Sequence, residues 1–418
     1  MRFYTLTTRR SPYIPLLFLV RVETLFYFLA LVQILMGLYL IFQGVEWLGY
    51  ARRRMHTDPG FAAPRTAVLC PCKGMEAGLE RNLVAFTEFD HQNYEIFFIL
   101  ASESDPAYSI VKRVAGNSKP KAHVIIAGKP DGCGEKVNNL RVAIEQLPEE
   151  FELLVFADSD GRPGKSWLQR LTAPLSDARV GATTTMRWFI PNDNGLASSM
   201  LAAWNASVVT MLTEKGKNFC WGGGTAIRRK VFHQIDVLEF WKGSVSDDYS
   251  LTRALDHSGR NVLFVPECLT VSFVETDFEG LLEFTNRQIL ISRIYADRIW
   301  SAGAATHFLY CLTILLGVFS ALGDLFTSRP FFHIMTLLCL PVILAAIRGA
   351  LRLAAVTEVL SPYRNQIMAQ SWIYLLLPAI VPFLFLWNFI HSLFTKRIGW
   401  RGVQYELISP QQTNILRY

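Results

Sequence analysis

Asp158 and Asp160, separated by one serine, stand directly after the wholly apolar run Leu153–Ala157. Two carboxylates at that spacing can hold a hard divalent cation together with phosphate oxygens. Most isolated Asp-x-Asp triplets are turn or surface residues, and the strand-like run in front of this one sets it apart. A second acidic pair, Asp247-Asp248, precedes the helical pattern 249–257. It reads either as chemistry or as a helix cap, for which aspartate is well suited. Lys136 and Asn139 open another helical pattern, just after Gly132 and Gly134. A cation beside a helix N-terminus suits a diphosphate. Trp221 leads the run Gly222-Gly223-Gly224, which is either a place where backbone approaches a ligand closely or a plain turn. The chain has no Gly-x-x-x-x-Gly-Lys-Ser/Thr signature, so any phosphate is not held by a P-loop.

The elements around these residues follow from the apolar periodicity. Short apolar runs at 66–70, 95–101, 123–127 and 153–157 alternate with helical patterns at 79–88, 107–114 and 135–146. Strands alternating with helices of this length predict a parallel sheet with right-handed crossovers. Ligands of open α/β sheets sit beyond the carboxyl ends of the strands. Asp105 and the Asp158–Asp160 pair both fall just past such ends.

The chain has 418 residues, of which 51% are apolar and 18% charged, with a net charge of +6. Soluble domains carry about 25% charged residues. This composition excludes a disordered chain and a disulfide-stapled miniprotein. Seven cysteines at irregular spacing, with no Cys-x-x-Cys, read as reduced thiols or apolar fillers. The apolar excess is concentrated. Residues 24–45 contain no charge, and Arg52-Arg53-Arg54 follow them. A run of this length is a membrane anchor rather than a cleaved signal peptide. Residues 303–326, 331–347 and 372–394 are three further candidate spans. The middle one is short and carries Pro341, which suits a tilted or re-entrant helix or a buried core helix. The division expected is an N-terminal anchor and basic linker over 1–60, a soluble domain over 61–272, an amphipathic segment over 273–302 and a multi-span region over 303–418.

Lysine and arginine near the spans indicate the cytosolic side. Arg348, Arg352, Lys396, Arg397 and Arg401 all carry that signal, as do Arg52-Arg53-Arg54. Arg2, Arg9, Arg10 and Arg21 before the first span make its own orientation ambiguous. Four full spans and a cytosolic middle domain would place Lys396–Arg401 outside, against the rule. Either one apolar segment does not span, or another lies within 348–371.

The residues also carry a family resemblance. In order, the chain has Pro71-Cys72-Lys73-Gly74, Asn82-Leu83, Tyr94-Glu95, Asp105-Pro106-Ala107, Lys136-Val137-Asn138-Asn139-Leu140 and Asp158-Ser159-Asp160. Phe219 to Arg229, Asp247-Asp248-Tyr249 and Arg287 complete the set. Together these resemble the family 2-like inverting glycosyltransferases of the GT-A fold, most of all the ceramide glucosyltransferase branch. The tail Trp400-Arg401-Gly402-Val403-Gln404-Tyr405 is similar too. The resemblance implies an α/β GT-A domain with a Rossmann-like mixed sheet and transmembrane helices at both ends. It implies a hexosyltransferase moving glucose from UDP-glucose to a lipid hydroxyl such as that of ceramide. A UDP-sugar donor, a membrane lipid acceptor and the bilayer are its partners, and nucleic acid is not. The catalytic domain would face the cytosol, at an inner membrane in bacteria or at Golgi or ER in eukaryotes.

Carried over by position, the resemblance implies that Asp105, Lys136, Asp158 and Arg287 bind the nucleotide-sugar. Asp158 and Asp160 would hold Mg2+ or Mn2+, and Asp248 would be the general base. Trp221, Gly222 and Asp247 would form the acceptor site. Arg187-Trp188 and Trp204 are either flanks of an acceptor path or core aromatics. One motif departs. Where the family has (Gln/Arg)-x-x-Arg-Trp, this chain has Arg287-Gln288-Ile289-Leu290-Ile291. Arg293 or Arg298 is the nearest substitute for the lost cation. The missing tryptophan weakens the case for a processive polysaccharide synthase. A transporter subunit with a cytosolic α/β domain would place polar residues along the spans. The spans have few, namely Asp324, His333 and His391.

Overall fold

A computed structural model describes residues 13–60, 63–76, 78–326 and 330–418. Arg2, Arg9 and Arg10 lie outside the described residues. The long helix α1 (Tyr13–Met55) leads into the α/β domain. Strands β1 (Thr66–Pro71), β2 (Tyr94–Leu100), β3 (Ala122–Ile126) and β4 (Leu153–Ala157) form where the apolar runs predict them. They are joined by α2 (Leu79–Phe86), α3 (Tyr108–Gly116) and α4 (Glu135–Gln146). These four strands pair in parallel, in the order β3-β2-β1-β4. β1, β2 and β4 are almost wholly buried, which is why they read as continuous apolar runs rather than alternating ones. Beyond β4 the sheet is mixed. It continues through β7 (Gly224–Arg228), β5 (Val180–Thr184) and β8 (Asn261–Phe264), with β7 antiparallel to both its neighbours. A separate parallel pair, β6 (Arg187–Pro191) with β9 (Thr270–Val274), flanks this sheet.

Beneath that pair an aromatic layer joins the domain to the long helices. Trp188, Trp204, Trp47, Tyr50, Tyr374 and Phe385 belong to one buried cluster. Trp188 and Trp204 are therefore core residues. The polar tips of Trp47, Tyr50 and Tyr374 in this layer are matched, whereas the indole nitrogens of Trp188 and Trp204 are buried without a hydrogen-bond partner. The Tyr50 hydroxyl donates to the Phe264 carbonyl at 2.6 Å, and the Tyr374 hydroxyl to the Phe189 carbonyl at 3.0 Å. Arg54 pairs with the buried Glu267 at 2.7 Å.

The helical part begins with α5 (Phe278–Tyr295), followed by α6 (Asp297–Phe326) and α7 (Phe332–Val359). Residues 13–55, 297–326 and 332–359 contain three helices long and apolar enough to cross a membrane. Phe28, Leu31, Leu35 and Phe42 of α1 and Leu315 and Phe319 of α6 are exposed, as lipid-facing residues would be. α7 does not end at residue 347. It continues about three turns further, taking Arg348 and Arg352 into the helix, and Arg352 is 2% exposed with its Nη2 3.3 Å from Thr210 Oγ1.

Close contacts fix the helix directions. Gly37 lies against Leu344, Gly44 against Leu351, and Arg52 pairs with Glu358, so α1 and α7 run parallel, both towards the domain. Gly317 lies against Leu338 and Phe26, so α6 runs the opposite way. The final apolar segment is bent by 60° between 371–379 and α8 (Val381–Phe394), at a break flanked by Pro378 and Pro382. Both of its ends lie on the domain side. Gln370 donates to the Pro191 carbonyl at 2.9 Å, and Asn388 donates to Asn286 at 2.8 Å. Its bend meets Tyr310, whose hydroxyl donates to the Ala379 carbonyl at 3.1 Å. Tyr310 is 16 residues short of the end of α6, about 24 Å along a helix. The segment is thus a hairpin that dips into the bundle and returns. It removes the conflict of sides that four traverses create, because the chain emerges beside the domain as β10 (Arg397–Trp400), β11 (Val403–Ser409) and β12 (Gln412–Arg417).

The cysteines are unpaired thiols, and all but Cys339 are buried. A Cβ at Gly349 would lie 2.0 Å from the Tyr374 carbonyl oxygen, so α7 meets the hairpin through bare backbone. Gly349→Ala is expected to cost about 1–3 kcal/mol by overpacking that contact. The exposed Ala350→Leu control should stay within about 0.5 kcal/mol, as read from thermal unfolding in detergent.

Candidate active site

β4 ends at Ala157, and the chain turns so that Asp158, Ser159 and Asp160 face a cavity of about 510 Å³. α4 starts opposite. Its N-cap is Gly134, where a Cβ would meet Val245 Cα at 2.9 Å, so the loop before the helix Asp247–His257 packs directly on the helix start. Lys136, in the first turn of α4, reaches Asp158 Oδ1 at 2.7 Å and Asp247 Oδ1 at 3.2 Å. From the other side Arg187, the first residue of β6, reaches Asp158 Oδ2 at 3.2 Å and Asp160 Oδ2 at 2.8 Å. The Arg187 guanidinium also lies 5.1 Å from the Trp221 ring centroid. Three carboxylates and two cations therefore alternate in a buried row.

The charges shift one another. Burial works against the Asp158 carboxylate, yet Lys136 and Arg187 outweigh it and hold its pKa below the usual carboxylate range. Burial likewise works against the Lys136 ammonium, and Asp158 and Asp247 outweigh it and push its pKa up. Asp247 goes the other way. Burial, helped by the charges of Asp248 and Asp158, raises it to about 7 against the pull of Lys136. Glu76, across the cavity, is also raised to about 7, by burial first and then by Asp160. Burial lowers Arg287 to about 10.

The glycine run lies on this row. A Cβ at Gly222 would sit 2.3 Å from Asp247 Oδ2 and 2.6 Å from Lys136 Nζ. One at Gly223 would sit 2.6 Å from Asp158 Oδ2. The close approach that glycine allows is thus to the charged side chains themselves. Asp248 is tied to the same run, because Gly222 N donates to its Oδ2 at 3.3 Å. Its Oδ1 accepts from Ser246 Oγ and, at 2.8 Å, from Tyr249 N. Ser246 is the N-cap of the helix Asp247–His257, so neither aspartate holds that position. Trp221 is 5% exposed and backs Arg187. Asp105 Oδ1 accepts from Gly74 N and Ala107 N, each at 2.8 Å, and so fixes the loop after β1.

The cavity wall needs a polar guest. Glu76 Oε2, Asn139 Oδ1, Asp160 Oδ1, Ser272 Oγ and Arg287 Nε line it and are buried with no hydrogen-bond partner. Native structures leave few such atoms unmatched. Among the described residues no group of three or more His, Cys, Asp or Glu side chains is placed to hold a metal ion. Asp158 and Asp160 nevertheless suit a Mg2+ or Mn2+ that takes its remaining ligands from phosphate and water, and the unmatched Asp160 Oδ1 is available to it.

Sequence reasoning grouped Asp105, Lys136, Asp158 and Arg287 around the nucleotide-sugar and Trp221, Gly222 and Asp247 around the acceptor. Lys136, Asp158, Asp160 and Arg287 line one cavity, whereas Asp105, Trp221, Gly222, Asp247 and Asp248 are not among its lining residues. It missed Glu76, which no motif marks. It left Arg187 as either a flank of the acceptor path or part of the core, whereas Arg187 bridges the two aspartates. Arg293 and Arg298 do not replace the lost cation. Arg293 donates to the Ser392 carbonyl, and Arg298 is exposed.

An acidic pair beyond a central strand of a mixed sheet, faced by basic side chains and unmatched polar atoms, is an arrangement that suits a diphosphate held through a cation. The sequence profile of glycosyl transferase family 21 matches residues 25–413, and the chain belongs to that family. Among solved structures it is similar to the mannosyltransferase PcManGT from Pyrobaculum calidifontis in complex with GDP-Man and Mn2+. That pair shares 16% identity with a TM-score of 0.45, over 88% of this chain and 98% of the other. It is also similar to glucosyl-3-phosphoglycerate synthase from Mycobacterium tuberculosis, at 16% identity and a TM-score of 0.36, over 59% and 82% of the two chains.

Gly222→Ala and Gly223→Ala are each expected to weaken UDP binding at least tenfold by displacing the carboxylates. Gly164→Ala, whose Cβ would meet nothing within 4 Å, should bind as the parent does in titration calorimetry.

Proposed function

We propose that the chain transfers a hexose, glucose from UDP-glucose, to the hydroxyl of a membrane lipid such as ceramide, with inversion to a β-glycolipid. The observation that carries this reading is the mixed lining of the cavity. Lys136, Asp158, Asp160 and Arg287 line it together with Leu201, Phe189, Phe273 and Phe284. The first set suits a diphosphate, and the second suits an aliphatic chain. The three candidate spans support a membrane-embedded enzyme whose domain stands on the face of the bilayer. The positive-inside rule and the position of Arg52–Arg54 favour the cytosol for that face.

In this reading Asp248 takes the proton of the acceptor hydroxyl while its oxygen attacks the anomeric carbon. The bond to the UDP oxygen breaks on the opposite face. The three donors on Asp248 hold the carboxylate in place for that task. Lys136 and Arg287 offset the negative charge on the departing diphosphate. A divalent ion on Asp158 and Asp160 would add Lewis-acid stabilisation of the same charge. Asp158 and Asp160, which Lys136 and Arg187 hold in place, would be the residues that bind the ion.

Incubating membranes that contain the protein with radiolabelled UDP-glucose or UDP-galactose should label a single lipid, with one sugar per acceptor, on thin-layer analysis. A polymer, or no labelled lipid with any UDP-sugar, would refute the reading. Asp248→Asn should cut transfer by about 10²-fold or more while UDP affinity stays within twofold. Asp158→Ala should lose the metal-dependent part of UDP binding.

A further inference from the structure

Leu290 and Ile291 stand where the family pattern has Arg-Trp, and they are buried, at 1% and 5% exposure. They pack in a small core with Ile398, Val403, Tyr405 and Leu407 of the C-terminal sheet. Their side chains are thus the seat on which the tail hairpin docks. That docking carries another Trp-Arg pair into the cavity, because Trp400 and Arg401 both line it. Arg287, the retained first position of the pattern, donates to the Gly399 carbonyl at 3.1 Å, and its guanidinium lies 5.7 Å from the Trp400 ring centroid.

The turn itself is unusual. Trp400 pairs with Val403, so Arg401-Gly402 is a two-residue hairpin loop. Both residues have positive φ, +48° and +84°. This is the turn that favours Asn-Gly. An arginine in the left-handed region is uncommon, and such outliers cluster at functional sites. Its side chain is 31% exposed, and its head group is paired. Arg401 Nη1 donates to the Lys73 carbonyl at 2.5 Å, and Nη2 pairs with Glu76. The charges of Asp160 and Asp158 also act on it. The hairpin further braces the start of α4, where Glu135 N donates to the Tyr405 hydroxyl at 3.2 Å.

We propose that the C-terminal hairpin completes the donor site, with Arg401 as a cation for the nucleotide diphosphate and Trp400 as its apolar wall. The pair lost at residues 290–291 is thereby supplied from more than a hundred residues further on. This inference rests on the nucleotide-sugar reading of the cavity.

The test uses the full chain in detergent, with UDP and uridine as probes by titration calorimetry. Arg401→Gly suits the positive φ and removes the whole side chain while leaving the turn in place, so the thermal midpoint should hold. UDP affinity should fall tenfold or more, while uridine affinity stays within twofold. Arg401→Asn, the residue this turn prefers, is the second variant and should behave alike. UDP binding within twofold of the parent in both variants overturns the proposal. So does an equal loss for uridine and UDP, which marks a structural role. Asp158→Ala separates the two levels. If the parent binds no UDP and Asp158→Ala changes nothing, the nucleotide-sugar reading itself fails. If Asp158→Ala loses UDP and the Arg401 variants do not, only the hairpin inference fails.

Discussion

The carboxylate of Asp158 is the point on which the site is organised. A buried charge is tolerated only when it is paired and hydrogen-bonded, and removing one partner of such a pair costs on the order of 3–5 kcal/mol. Asp158 meets that demand with Lys136 on one oxygen and Arg187 on the other. Each partner constrains an element. Lys136 needs α4 to begin beside β4, which the bare backbone at Gly134 permits by close packing on Val245. Arg187 needs the β6–β9 pair to bring its first residue over the sheet, and Asn205 donates to the Arg187 carbonyl at 2.9 Å to hold it there. The glycines at 222 and 223 follow from the same crowding, since no side chain fits above three carboxylates and two cations.

The second constraint is the apolar layer between sheet and helices. Trp188, Trp204 and Tyr374 bury large surfaces there, so the domain and the bundle share one core. The cavity lies at that seam. Its lining combines charged residues from the end of β4, the start of α4 and α5 with apolar residues from β6, β9 and α5. The bent apolar segment returns the chain to the domain side, and that return lets residues 397–417 form a sheet against α5. The path through the bundle and the composition of the site are therefore linked.

Much of this was legible along the chain. β1 to β4 and the three helices between them announce themselves, because strands covered on both faces must be continuously apolar and their crossovers must be amphipathic. Asp158 and Asp160 stood out because a charged pair directly after such a strand has one place to go. The direction of the last apolar segment was not legible. Its composition suits a span, and the bend at Pro378–Pro382 takes effect only against Tyr310 and Gly349. Glu76 and Arg187 carried no local signal of their roles either.

The sequence by itself determined the parallel half of the sheet, the acidic pair at its edge, and the division between a charged middle and apolar flanks. Each of these depends on the period and polarity of neighbouring residues. The tertiary structure alone decided which cations face the aspartates, which apolar segment turns back, and what Leu290 and Ile291 do. Those outcomes depend on contacts between residues far apart in the chain, as when Arg401 meets Glu76 or Arg187 meets Asp158. Electrostatic pairing and close packing act through space, and only the folded chain brings the partners within their range.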